Sequence, residues 1–123
     1  MSFIEQWLHD AVPALVGGER RTGQQTFAVD NPATGETIAR VADMGADDAR
    51  DAVAAAYNAG AAWRTTPVKQ RSALLRRWFE LIIEHADDLA RLMTLEQGKP
   101  LAEAKGEVTY GASFIEFFAE EAK

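Results

Sequence analysis

Residues 89–100 read LARLMTLEQGKP, and residues 101–123 continue LAEAKGEVTYGASFIEFFAEEAK. The fold of this half turns on Gly98 and Pro100. Glycine accepts the left-handed conformation that closes a helix, and proline cannot carry that helix on. One helix therefore ends near residue 97, and a second begins after the proline. In the second, Tyr110, Phe114, Phe117 and Phe118 recur at three- and four-residue steps, with Glu116, Glu120 and Glu121 on the polar side. No C-cap follows Phe118, and the pattern runs straight to Lys123. The expectation is a chain that goes on past Lys123, as an N-terminal piece of something larger.

Upstream, Thr66-Pro67 predicts a helix start, with threonine as cap and proline at the first helical position. Leu75, Trp78, Phe79, Ile82, Ala86, Leu89 and Met93 then form a wide apolar stripe opposite Arg76, Arg77, Glu80, Glu84, Asp87 and Arg91. The run from 67 to 97 is long for one globular helix, so a break is expected near His85-Ala86. Residues 46–62 predict another helix. Gly45 is its N-cap, Asp47 and Asp48 favour the positive end of the helix dipole, and Ala49, Val53, Ala56, Tyr57 and Gly60 share one face.

Residues 14–42 read as strands and turns. Gly17-Gly18 suits a tight hairpin, and Phe27 and Val29 alternate as on a half-buried strand. Asn31-Pro32-Ala33-Thr34-Gly35-Glu36 is a turn, since asparagine can bond its own downstream backbone and proline fixes φ. A strand resumes at Ile38–Val41. Phe3, Ile4, Trp7, Leu8 and Val12 have helical spacing, so residues 1–13 are expected to hold a short helix ended by Pro13. The fold class is α/β, mostly helical, with a short β-hairpin region near residues 14–42 and helices over 46–123.

Composition narrows the function. Hydrophobic residues make up 47% and charged residues 26%, the balance of a globular chain rather than a disordered one. The net charge of −6 and the scattered lysines and arginines exclude nucleic acid as the main partner. The chain has no cysteine, so it offers no thiolate chemistry and no cysteine-ligated zinc. His9 and His85 lack metal-ligand spacing. No secretory signal or membrane span is visible, and a cytoplasmic protein is expected.

Motifs add little directly. Gly17-Gly18 lacks the spacing of a phosphate loop, and Gly98-Lys99 is followed by proline where a Walker motif has serine or threonine. Glu103/Glu107 and Glu116/Glu120 read as solvated charge rather than an acid–base pair.

Three stretches resemble one family. Asn31–Glu36 is similar to the N-P-x-T-G-E element near the start of aldehyde dehydrogenases, and the Asp-rich helix start and Ala61-Ala62-Trp63 follow at a fitting spacing. Residues 89–100 resemble that superfamily's L-x-x-L-E-x-G-K-P element. Residues 101–123 look like its succinate-semialdehyde dehydrogenase branch in particular.

The resemblance implies that the chain is an incomplete N-terminal part of a nucleotide-binding domain, 1–123. The complete enzyme would oxidise succinate semialdehyde, or a similar aldehyde, to the acid with NAD or NADP. In the family a cysteine thiolate attacks the aldehyde, hydride passes to the nicotinamide, and a glutamate activates the water that releases the acid. None of those groups maps onto this chain. No catalytic and no cofactor-binding residue is carried over, and the isolated segment is expected to bind no cofactor and to be inactive. Two sites do carry over. The helix over 106–118 borders the family's substrate tunnel, which makes Tyr110, Gly106 and Phe114 candidate wall residues; the competing reading has these aromatics filling core. The family's structural cation site matches the backbone at Val29 and Asp30 and the side chain of Glu96. The partners implied are the remainder of the dehydrogenase chain, a small aldehyde and, when complete, further copies in a homo-oligomer. A free-standing helical interaction module is the alternative to the enzyme.

Overall fold

The computed structural model describes Ile4 and residues 11–123. The elements are β1 (Ala11–Val12), β2 (Ala14–Val16), β3 (Glu19–Arg21), β4 (Gln25–Asp30), β5 (Thr37–Asp43), α1 (Ala46–Thr65), α2 (Val68–Glu84), α3 (Ala86–Gln97) and α4 (Leu101–Glu121). They form two compact units. One holds the strands and α1; the other holds Ile4 and residues 66–123.

In the strand unit, Gly17 and Gly18 have φ of 61° and 86°. Positive φ at both central positions is the two-residue turn whose twist matches a hairpin, and β2 pairs antiparallel with β3 around it. The second hairpin is closed by Asn31. Its side-chain oxygen accepts from the Ala33 amide at 2.9 Å, and its carbonyl accepts from the Gly35 amide at 2.8 Å. β4 and β5 then pair antiparallel, with a bulge at Val29/Asp30, and β1 adds to β5 in parallel. Val16, Ile38 and Ala42 are the buried apolar residues of this unit.

Helix α1 starts as the glycine and aspartates predict. The Gly45 carbonyl accepts from the Ala49 amide at 3.1 Å, and the Gly45 amide donates to Asp48 Oδ2 at 3.0 Å. That is the returning half of a capping box, with aspartate reaching back to a glycine that has no side chain to complete it. The buried side of α1 differs from the expected one. A Cβ at Gly17 would stand 3.5 Å from Ala55, and Arg21 Nη1 lies 2.8 Å from Asp51 and 4.0 Å from Asp48. These contacts turn the 48/51/55 side of α1 onto the first hairpin. Val53 and Tyr57, expected at a close-packed face, are 70% and 82% exposed. Phe27, expected on a half-buried strand, is 50% exposed, while Val29 on the same side of β4 is partly buried.

In the helical unit, Pro67 rather than Thr66 is the N-cap of α2, with its carbonyl accepting from the Gln70 and Arg71 amides. The predicted break falls at His85 (φ −104°, ψ 17°), which ends α2 and starts α3. Gly98 closes α3 at φ 74°, its amide donating to the Thr94 carbonyl at 2.9 Å. Helix α4 packs on α2 and α3 through Ala104, Val108, Ala112 and Ala119. Ala90, Ala104 and Val108 are surrounded by Ile82, Ala86, Leu89 and Met93. Trp78 lies off this contact and is exposed.

Of the helix predicted over residues 3–12, Ile4 is buried in a 3₁₀ turn, whereas Ala11–Val12 are strand because they pair with Arg40–Val41. The rest lies outside the described residues. No helix among the described residues is long and apolar enough to cross a membrane.

A side chain at Gly98 would be forced into the left-handed region. Gly98→Ala is expected to cost about 1 kcal/mol in urea unfolding of the chain; an unchanged midpoint contradicts the capping account.

Candidate functional site

Helix α4 has two unlike sides. The fully buried residues of the inner one are Ala104, Val108, Ala112 and Ala119, with Ile115 partly buried between the last two. Small side chains let the helix axis approach α2 and α3 closely, and they leave the larger groups pointing elsewhere. Tyr110, Phe114, Phe117 and Phe118 are 66%, 48%, 56% and 57% exposed. The competing expectation, that these aromatics fill core, therefore fails within this chain.

The aromatics pack on one another instead. Tyr110 and Phe114 meet edge to face with ring centroids 4.9 Å apart, and Phe117 and Phe118 do so at 5.3 Å. Gly106, Tyr110 and Phe114 follow at four-residue steps, so the structure brings the three candidate wall residues onto one face. A Cβ at Gly106 or at Gly111 would meet nothing within 4 Å. A glycine inside a helix costs about 0.5–1 kcal/mol relative to alanine. Nothing within the chain requires either glycine, which leaves the open space beside Tyr110 for something outside it.

Charges fix the helix from both ends. Lys99 pairs with Glu107, Lys105 Nζ lies 2.7 Å from Asp87 Oδ1, and Arg76 Nη1 donates to Glu116 Oε1 at 2.7 Å. Glu107, Glu116 and Glu120 are thus each ion-paired rather than merely solvated. The hydrogen bond from Lys123 holds the Glu120 carboxyl below the usual range, opposite to the raised value a general base needs. Reading the sequence placed Arg76 on a polar face but gave no signal that its partner lies 40 residues on.

The other candidates are placed separately. Val29 and Asp30 sit at the β4 bulge in the strand unit, and Asp30 Oδ1 already accepts from the Thr37 hydroxyl at 2.6 Å. Glu96 is exposed in the last turn of α3, in the helical unit. Among the described residues no three His, Cys, Asp or Glu side chains gather at metal-binding spacing. A nucleotide needs a strand, a glycine-rich loop and a helix N-terminus free to meet phosphate. Gly17-Gly18 leads into β3, and Gly98 leads to Pro100. At the junction of β5 and α1 the helix opens on Asp47 and Asp48, which repel an anion.

The sequence profile of the aldehyde dehydrogenase family matches residues 19–123. The chain is 67% identical over 99 residues to a glutarate-semialdehyde dehydrogenase of Pseudomonas putida, covering 80% of this chain and 21% of the relative. It is 57% identical over 112 residues to an NADP(+) succinate-semialdehyde dehydrogenase of Escherichia coli, covering 89% and 23%. Its fold matches the crystal structure of a succinate-semialdehyde dehydrogenase from Burkholderia pseudomallei with a TM-score of 0.85 at 54% identity, over 89% of this chain and 23% of that one. The chain thus spans 21% and 23% of the length of these curated relatives.

The empty space over Gly106 gives a direct check. Gly106→Ala is expected to raise the stability of the 123-residue chain by about 0.5–1 kcal/mol in thermal melting, since the new methyl meets nothing. A loss of stability would show that the space is filled.

Proposed function

The chain belongs to the aldehyde dehydrogenase family, and from that premise we propose that it is a segment of an NAD- or NADP-linked dehydrogenase. The substrate is a short aldehyde with a distal carboxylate, succinate semialdehyde or glutarate semialdehyde, and the product is the corresponding acid. The single observation that carries this reading is the outward face of Gly106, Tyr110 and Phe114, on a helix whose inner side is fully used in packing.

Tyr110 and Phe114 form one wall of the aldehyde's path. A rigid aromatic surface suits the methylene chain of a short semialdehyde, and the phenol tolerates the wet end. Gly106 leaves room beside the ring. The chemical step belongs to the remainder of the dehydrogenase, since this chain has no cysteine to act as nucleophile. That remainder is the chief partner of the segment, and the complete protein works in the cytoplasm as a homo-oligomer.

The test is a chimera in which residues 12–123 replace the matching part of the Escherichia coli relative. It is expected to reduce NADP with succinate semialdehyde. Tyr110→Ala in the chimera is expected to raise KM for the aldehyde about tenfold, with a smaller effect on kcat. An unchanged KM would remove Tyr110 from the wall. The 123-residue chain by itself is expected to produce no NADPH, and measured turnover by it would overturn the division of labour.

A further inference from the structure

Helix α4 is secured differently along its length. Its first half follows directly on the Gly98–Pro100 turn and buries Ala104 and Val108 in the apolar cluster shared with α3. Two ion pairs, Lys99–Glu107 and Lys105–Asp87, hold the same half. The second half lies against α2 through alanines 112 and 119, with no larger side chain fully buried there. Between the start of α2 and the end of α4 the surfaces part into a cleft of about 530 Å³, lined by Val68, Ser72, Arg76 and Glu120 among others.

Arg76 lines that cleft and reaches across to α4. Its Nη1 donates to Glu116 on α4 at 2.7 Å, its Nε lies 3.5 Å from Glu80, and its guanidinium carbon stands 4.9 Å from the centre of the Phe79 ring. Glu80 and Phe79 belong to α2, so the guanidinium is oriented from its own helix and aimed at the other. A planar fork held this way loses less freedom per bond than a lysine ammonium would. Glu116 lies two residues from Phe114 and one from Phe117.

We propose that Arg76 is a positioning residue that clasps the second half of α4 to α2, and so sets where the aromatic face of Phe114, Phe117 and Phe118 stands. That this face receives an aldehyde rests on the function proposed above; the clasp itself does not. Both partners are partly exposed, 45% for Arg76 and 41% for Glu116, so salt screens the pair and the clasp loosens as ionic strength rises.

Residue-resolved amide hydrogen exchange on the 123-residue chain tests this. Raising salt from about 0.05 to about 0.5 M is expected to speed exchange over residues 112–121 about two- to fivefold and over 101–108 by less, since Ala104 and Val108 hold that half by burial when its two ion pairs are screened. Arg76→Ala and Glu116→Gln should give the same pattern at low salt. Arg76→Lys should restore part of the protection, and the charge reversal R76E/E116R most of it. Uniform acceleration along α4, no acceleration, or a reversal that fails to restore protection would each overturn the clasp. In the chimera, Arg76→Ala is then expected to raise KM for succinate semialdehyde. A KM left unchanged while exchange follows the expected pattern would keep the clasp and overturn the aldehyde reading.

Discussion

The close approach of α4 to α2 and α3 is the constraint from which the helical unit follows. It is made possible by side chains that are almost absent: Ala104, Val108, Ala112 and Ala119 on one side and Ala90 on the other. Burial of apolar area drives the association, but methyl groups supply little of it per residue, so three helices must share the work. The turn at Gly98–Pro100 brings α3 and α4 together, and the break at His85 does the same for α2 and α3. Along this seam only Ile115 is bulky, apolar and partly buried, and the aromatic residues of α4 stand outward.

That outward set is large for a chain of this size. Tyr110, Phe114, Phe117 and Phe118 stand on α4, Trp78 and Leu74 on α2, and Tyr57 and Val53 on α1, all exposed. Solvent does not favour such surfaces, and contiguous apolar faces on a protein usually mark what it meets. Under the function proposed above, most of them face the remainder of a dehydrogenase of which the chain is a segment. Gly106 marks where one such face stays open beside a phenol.

Much of this architecture was legible from local chemistry. Gly17-Gly18, Asn31 and Gly35, the aspartates after Gly45, the break at His85 and the stop at Gly98 all act within a few residues of themselves, and each is found where those rules place it. Long-range choices were less legible. The face of α1 that packs was read as the one bearing Val53 and Tyr57, whereas Arg21 and Gly17, from a hairpin some 30 residues away, select Ala55 and the acidic side. Periodicity reports that a helix has an apolar stripe, but not whether anything covers it. Phe27 and Trp78 show the same blind spot, and the partnership of Arg76 with Glu116 shows its polar counterpart.

The central claim is that the outer face of α4 lines the path of a short semialdehyde. The most direct measurement is a crystal structure of the chimera, its nucleophile removed, with succinate semialdehyde bound. The account predicts the Tyr110 ring within about 4 Å of the carbon chain of the ligand, with the space over Gly106 open toward it. A ligand bound elsewhere, with Tyr110 packed against protein on every side, would contradict it.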